Sequence, residues 1–121
     1  MEFIENIFCS IPMYGKSLEE VEKDHELLVQ KAMPKIKETV EDKLLEGLTV
    51  SRSYKVIDNI HKDNVPENAG RIWYLGDSIK LMENATFVVF GKGWENSKGC
   101  TVEMEVCKQY GKAFIIEGVD F

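Results

Sequence analysis

The 121-residue sequence lacks the features that mark several large classes of protein. Its three cysteines form no C-x-x-C pair and its two histidines have no partner at a metal-ligand spacing, so neither a disulfide framework nor a zinc site is expected. Lys and Arg number 15 against 21 Asp and Glu, and they form no basic cluster. This distribution argues against binding to duplex nucleic acid or to an anionic membrane.

Long apolar runs are also missing. No run approaches the length of a membrane span, and the N-terminus lacks the basic and apolar regions of a signal peptide. We therefore expect a cytoplasmic protein with free thiols, and we expect neither a metal nor a cofactor. A small nucleotide is compatible with the net charge of −6, because backbone amides can hold one phosphate in an acidic protein.

What is present is an ordinary globular composition, with 44% hydrophobic and 30% charged residues, which predicts a single domain over residues 1–121. Apolar periodicity predicts strands at 3–11, 48–58, 86–90 and 113–116, and helices at 18–46, 71–85 and 100–110. Ser17-Leu18-Glu19-Glu20 fits a capping box at the first helix, which Pro34 should break or kink. This alternation predicts an α/β fold, with a parallel sheet of four to five strands and helices on both faces.

Two loops lie where such a sheet binds ligands, beyond the carboxyl ends of its strands. The first covers residues 12–17, and the segment 10–17 that contains it nearly matches a P-loop, but Ser10 stands in place of the first glycine and Pro12 removes a backbone donor. We therefore disfavour a P-loop and expect this loop to face a substrate, with Tyr14 as a lid. The second is the Gly-rich loop 91–99, in which Trp94 either stacks on a base or packs under the loop.

Glu103 follows the Gly-rich loop, near the start of the third helix. A carboxylate in that position is expected to be held ionised by the helix dipole and the free amides. Val106 and Cys107 occupy the positions where a surface glutamate often finds a cation. Spacing alone leaves two alternatives open: a carboxylate placed for the dipole, or a functional group.

Asp77 follows Gly76 within the second helical region. It is either a helix N-cap, which aspartate favours, or a second carboxylate that faces the same cleft as Glu103. A pair of carboxyl groups suits glycosidic cleavage, because one attacks or stabilises carbon while the other protonates the leaving group.

Three segments together resemble the nucleoside 2-deoxyribosyltransferase superfamily, and its short phage and bacterial branch in particular. They are Phe8-Cys9-Ser10-Ile11-Pro12-Met13 with a following Gly-Lys, Trp73-Tyr74-Leu75-Gly76-Asp77-Ser78, and Gly93-Trp94-Glu95-Asn96-Ser97-Lys98-Gly99-Cys100 with Glu103. The resemblance covers nearly the whole chain and preserves the order of its elements.

The resemblance implies a flavodoxin-like sheet, Glu103 as nucleophile and Asp77 as the group that assists departure of the base. It places Ser10, Ile11, Met13 and Tyr14 over the base and sugar. It also implies a homodimer or larger assembly in which a neighbouring subunit completes the pocket.

One position departs from the transferases. Six residues before Glu103 they carry an aspartate that grips the sugar 5′-hydroxyl, and this chain has Ser97. In this respect the chain is similar to the deoxynucleoside 5′-monophosphate N-glycosidases. Ser97 and the Gly99 amide can donate hydrogen bonds to a phosphate that an aspartate would repel.

We therefore predict an enzyme that cleaves the N-glycosidic bond of a (deoxy)nucleoside 5′-monophosphate or a related nucleotide. Two alternatives remain open: a nucleotide-binding protein without activity and a nucleoside 2-deoxyribosyltransferase. A P-loop nucleotide hydrolase is a weaker third. The sequence leaves the base and the sugar undetermined.

Overall fold

The computed structural model describes residues 2–41, 51–59 and 65–121. The strands are β1 (Glu2–Ser10), β2 (Ser51–Val56), β3 (Phe87–Phe90) and β4 (Phe114–Ile116). The helices are α1 (Leu18–Glu41), α2 (Arg71–Met82) and α3 (Lys98–Tyr110), and a single 3₁₀ turn covers Trp94–Asn96. Within the described residues, no helix combines the length and apolarity needed to cross a membrane.

The four strands form one sheet in the order β2-β1-β3-β4, and every neighbouring pair is parallel. This order matches the first four strands of the flavodoxin-like order. From β1, the next strand in the chain lies on one side (β2) and the later strands lie on the other (β3 and β4), so the strand order reverses between β1 and β3. In that pair Ser10 lies opposite Phe90, so the last residues of both strands meet at the reversal. The predicted α/β fold with a parallel sheet is confirmed, with four strands in the described part of the chain.

Helices cover both faces of the sheet and create two separate cores. The face covered by α1 buries Ile7, Cys9, Ile11, Val21, Leu28, Ala32, Ile36, Phe87, Val89 and Ile115. The face covered by α2 and α3 buries Phe8, Met82, Ala85, Val88, Phe90, Met104 and Cys107. Because successive residues of a strand point to opposite faces, β1 and β3 contribute alternate side chains to each core.

The predicted capping box at the start of α1 is confirmed. The Glu20 amide donates to Ser17 Oγ at 3.1 Å, and the Ser17 amide donates back to Glu20 Oε1 at 3.4 Å. These two bonds satisfy amides that have no acceptor within the helix. They fix the point at which the chain leaves the carboxyl edge of the sheet.

Of the two outcomes predicted at Pro34, a break or a kink, the break is wrong, because α1 runs without interruption from Leu18 to Glu41. Ala32 and Ile36, on either side of the proline, are both fully buried against the sheet, whereas Pro34 is exposed. Tertiary burial of these neighbours outweighs the hydrogen bond that proline removes. The predicted continuation of the helix over 42–46 and the start of the second strand at 48–50 lie outside the described residues.

Candidate functional site

The candidate site lies at the carboxyl edge of the sheet, where β1 and β3 end side by side. The Gly91 amide donates to the Ser10 carbonyl at 2.9 Å, which extends the pairing by one step beyond β3. From this point the chain leaves β1 toward α1 and leaves β3 toward α3. In open α/β sheets this reversal of strand order is where ligands bind.

Glu103 is the buried acid of this site. It is the sixth residue of α3, and 7% of its surface is exposed. Burial raises its pKa from 4.5 to about 7. The expectation that the helix dipole holds this carboxyl ionised is therefore wrong. Glu103 lies in the second turn, beyond the range of the terminal amides, and the loss of hydration dominates.

Ser10 brings β1 into contact with Glu103. It is 1% exposed, and its side chain lies on the α3 face because it follows Phe8 by two residues along the strand. Its hydroxyl contacts the Glu103 carboxyl and lowers the pKa of that group, which opposes part of the effect of burial. The contact falls short of a well-formed hydrogen bond, because Ser10 Oγ and Glu103 Oε2 are both buried without a partner among the described residues.

Cys100 is the third member of this contact. It is buried one turn before Glu103, and burial raises the pKa of its thiol, while the Ser10 and Ser97 hydroxyls oppose that rise. The thiol is therefore neutral near pH 7, as expected for a small buried residue rather than a nucleophile.

Ser97 and Gly99 form the start of the helix that carries Glu103. Ser97 is the N-cap of α3, and its hydroxyl accepts a hydrogen bond from the Cys100 amide at 3.4 Å. Gly99 is the second residue of the helix, so its amide belongs to the first turn, where no carbonyl within the helix accepts. The structure thus brings both predicted phosphate contacts to the positive end of the helix.

Trp94 packs under the Gly-rich loop, which is one of the two alternatives predicted for it. Its ring lies 5.6 Å from that of Phe90 at an interplanar angle of 57° and contacts the core beneath α2 and α3. The preceding Gly93 has a φ of 88°, a left-handed conformation that suits glycine and turns the chain into this position. The indole N–H is buried, and no described residue accepts from it.

Asp77 lies inside α2 and is half-buried. The interpretation of Asp77 as an N-cap is wrong, because α2 begins at Arg71 and Gly70 is its N-cap. The Gly76-Asp77 pair is typical of a helix boundary, yet both residues lie within α2. The helix continues beyond them and buries Ser78 and Met82. Asp77 and Glu103 therefore belong to the two helices that cover the same face of the sheet.

The other residues of the β1–α1 loop that were predicted to contact the substrate lie on different sides of the sheet edge. Ile11 and Met13 pack into the core beneath α1, so their side chains do not reach the face that carries Glu103. The Ile11 side chain also packs tightly on Gly91, where a Cβ would lie 2.7 Å from Ile11 Cγ2. Tyr14 is 87% exposed, and the Arg71 guanidinium lies 4.9 Å from its ring centroid at the start of α2. Tyr14 is thus the member of this loop that reaches toward α2.

Asn59 is a polar residue of this edge that the sequence analysis missed. It is 2% exposed, and its Nδ2 donates to the Cys9 carbonyl at 2.8 Å. That bond continues the ladder begun by the Ile57 amide and the Ile7 carbonyl, also at 2.8 Å. Asn59 Oδ1 is buried with no partner in the described part of the chain. A polar residue just after a predicted strand was the available signal.

Two surface cavities lie on the other face of the sheet, beside α1. One has a volume of about 200 Å³, and half of its lining residues are charged: Lys16, Asp24, Lys31, Lys92 and Glu117. The rest are Ile11, Pro12, Leu27, Leu28 and Gly91. The other, of about 270 Å³, is an apolar groove beside His25 and Val56. Glu103 lines neither of these two cavities, which lie on the face of the sheet opposite to it.

No protein-family model, curated protein or solved structure matches this chain. The site combines three features at the point where the strand order reverses: a buried carboxyl, an adjacent hydroxyl and a helix N-terminus.

Proposed function

We propose that this protein cleaves the N-glycosidic bond of a nucleoside 5′-monophosphate or a related nucleotide, with Glu103 as the nucleophile. The observation that carries the proposal is the Glu103 carboxyl itself. It is 7% exposed, it lies beside the junction of β1 and β3, and its Oε2 has no partner among the described residues. Buried acids of this kind are expensive to keep and are concentrated at functional sites.

In the proposed reaction, an oxygen of ionised Glu103 forms a bond to C1′ of the sugar. The bond between C1′ and the base nitrogen breaks, and its electron pair leaves with the base, which takes a proton from Asp77 or from water. Water then attacks C1′ and loses a proton, and the ester oxygen departs as the Glu103 carboxylate. A second base in place of water gives the transferase version of the same reaction.

The two ends of the substrate have separate binding groups in this proposal. The Ser97 hydroxyl and the Gly99 amide bind the 5′-phosphate at the N-terminus of α3, where the partial positive charge of the helix favours an anion. Tyr14 lies at the rim beside Arg71 and contacts the base. Because Glu103 is 7% exposed, the residues that cover it must move before C1′ can reach the carboxyl.

A cytoplasmic location and a homo-oligomeric assembly belong to the same proposal. The three cysteines are all free thiols, which suits a reducing compartment. Val102 and Tyr110 of α3 are 41% and 84% exposed, respectively, and apolar surface of this kind supports self-association. Sedimentation velocity measures the assembly directly.

The test is a panel of ribo- and deoxynucleoside 5′-monophosphates and the corresponding nucleosides, with free base measured by mass spectrometry. We expect base release from nucleotides and a loss of at least about a thousandfold in kcat/KM for Glu103→Gln. Glu105→Gln is the matched control, because Glu105 is exposed on the same helix and accepts from Gln109 Nε2 at 2.8 Å.

Two outcomes would contradict the proposal. If wild type and Glu103→Gln both bind a nucleotide and return it intact, the protein is a binding protein. If Glu103→Gln releases base as fast as Glu105→Gln, another residue is the nucleophile. A free acceptor base added to the same assay separates transfer from hydrolysis.

A further inference from the structure

Two neighbouring side chains of the site, Ser10 and Glu103, each carry a buried polar atom that has no hydrogen-bond partner among the described residues. Ser10 is 1% exposed and Glu103 is 7% exposed, and among the described residues neither Ser10 Oγ nor Glu103 Oε2 completes a hydrogen bond. The Ser10 hydroxyl nevertheless lies close enough to the carboxyl to influence its protonation. Buried polar atoms are rarely left in this state unless a ligand or a water completes them.

One ligand hydroxyl satisfies both atoms at once. A carboxylate oxygen only accepts hydrogen bonds, whereas a serine hydroxyl both donates and accepts. A substrate hydroxyl that displaces the contact between Ser10 and Glu103 donates to Glu103 Oε2 and accepts from Ser10 Oγ. A methylene group in the same position leaves both protein atoms buried and unpaired, which is the more costly arrangement.

The proposed reaction fixes where that hydroxyl must be. When one oxygen of Glu103 is bonded to C1′, the second oxygen of the same carboxyl lies near the substituent on the adjacent carbon, C2′. In glycosidases that form a covalent intermediate, hydrogen bonds to the 2-hydroxyl strengthen in the transition state. Ser10 approaches the same carboxyl from β1, on the side of the sheet that carries α3.

We infer that the substrate is a ribonucleotide, and that Ser10 together with Glu103 Oε2 selects it by binding its 2′-hydroxyl. This inference rests on the proposed function and narrows it from either sugar to ribose. Ser10 is then a specificity-determining residue that touches the sugar, and the deoxynucleotide is the disfavoured analogue.

The experiment measures kcat/KM for base release from paired ribo- and 2′-deoxyribonucleoside 5′-monophosphates that carry the same base. Sites built to hydrogen-bond a substrate hydroxyl discriminate strongly against the analogue that lacks it, so we expect ribose to be preferred by at least about a hundredfold. In Ser10→Ala this preference should fall by at least about tenfold, mainly because the ribonucleotide is cleaved more slowly. Ser97→Ala is the matched control: it should slow both substrates about equally, since both carry the phosphate.

A parallel binding measurement separates this inference from the proposed function. Calorimetry on wild type should show the ribonucleotide binding at least about tenfold more tightly than its deoxy partner, and Ser10→Ala should remove most of that difference. If binding shows this preference while no base is released, the proposed function fails and the sugar selectivity stands. Equal or reversed preference in wild type, in either cleavage or binding, overturns the inference, and so does a preference that Ser10→Ala leaves unchanged. If Ser10→Ala does not fold, the wild-type ratio alone decides.

Discussion

The two faces of the sheet present polar groups at the same carboxyl edge, but they partner them differently. On the α1 face, Lys16 pairs with Asp24 at 2.6 Å, and Lys31 pairs with Glu117 at 3.1 Å. Glu117 also accepts from the Lys92 amide at 2.9 Å. On the α2–α3 face, Glu103 Oε2, Ser10 Oγ and the Trp94 indole N–H are buried without partners among the described residues. Charges are paired on the α1 face, where His25 Nε2 is the buried polar atom left without a partner among the described residues, whereas three such atoms lie on the α2–α3 face.

Concavity and buried unpaired polar atoms therefore point to different faces of the sheet. The charged cavity of about 200 Å³ lies beside α1, yet the carboxylates that line it already have cationic partners. Exposed pairs of this kind cost little to keep and contribute little to stability. Each unpaired buried polar atom near Glu103 instead costs about 1–3 kcal/mol. Such a cost calls for an explanation, and a ligand or a water that completes these atoms is one.

After the loss expected for Glu103→Gln, the largest expected effect on base release is its pH dependence. Burial raises the Glu103 pKa to about 7, and only the ionised carboxyl is a nucleophile. In the acidic range kcat/KM should therefore rise about tenfold per pH unit and level off above pH 7, giving about a hundredfold difference between pH 5 and pH 8.

The matched variant for this profile is Glu117→Gln on the other face. The pKa of Glu117 is lowered, first by the Lys92 amide, so this carboxyl is already ionised throughout that range. The variant should keep the wild-type profile. A wild-type profile that is flat from pH 5 to pH 7 would show that Glu103 is not the group that must ionise. Carboxyl NMR titration of the free protein distinguishes Glu103 from the substrate phosphate, which also titrates near pH 6.

The second expected effect concerns the pH dependence of the free energy of unfolding. Glu103 and Glu117 should change it in opposite directions as the pH rises. The folded pKa of Glu103 lies above its unfolded value of 4.5, so its contribution is fully present below pH 4.5 and is lost as the pH rises through about 7. At 1.36 kcal/mol per pKa unit, the rise from 4.5 to about 7 corresponds to a loss of about 3 kcal/mol in the free energy of unfolding. For Glu117, the folded pKa is lowered, so its contribution is lost as the pH falls below its usual value.

Urea unfolding from pH 4 to pH 8 measures both effects. The free energy of unfolding of wild type should fall relative to that of Glu103→Gln as the pH rises, until Glu103→Gln is the more stable protein at pH 8. Glu117→Gln should differ from wild type in the opposite direction with pH. Parallel curves for wild type and Glu103→Gln across this range would contradict the burial of Glu103.

The features that could be predicted from the sequence are those that depend on residues close together in the chain. The Ser17–Glu20 capping box was predictable because both partners lie within one turn, and the strands were predictable from their apolar runs. Pro34 was misjudged because the burial of Ala32 and Ile36 depends on the sheet and not on the helix. Asp77 was misjudged as a possible cap because Gly70, seven residues earlier, is the N-cap of the helix.

The residues of the candidate site could be named from the sequence, but their electrostatics could not. Glu103, Ser97 and Gly99 follow from spacing and resemblance, whereas the raised pKa of Glu103 depends on burial by elements distant in sequence. Ser10 reaches Glu103 only through the register that pairs it with Phe90. Asn59 was missed for the same reason, since its partner is the Cys9 carbonyl, 50 residues away.

The smallest expected effect lies on the α1 face, in the Lys16–Asp24 pair. Both side chains are partly exposed, at 36% and 38%, so solvent and salt screen their attraction. A double-mutant cycle of Lys16→Ala, Asp24→Ala and the double variant, measured by urea unfolding, should give a coupling energy of less than about 1 kcal/mol, and it should shrink further in 1 M salt, where the screening length is about 3 Å. A salt-insensitive coupling well above that value would mean that this face also holds desolvated charge, and the contrast with the Glu103 face would then be one of degree rather than of kind.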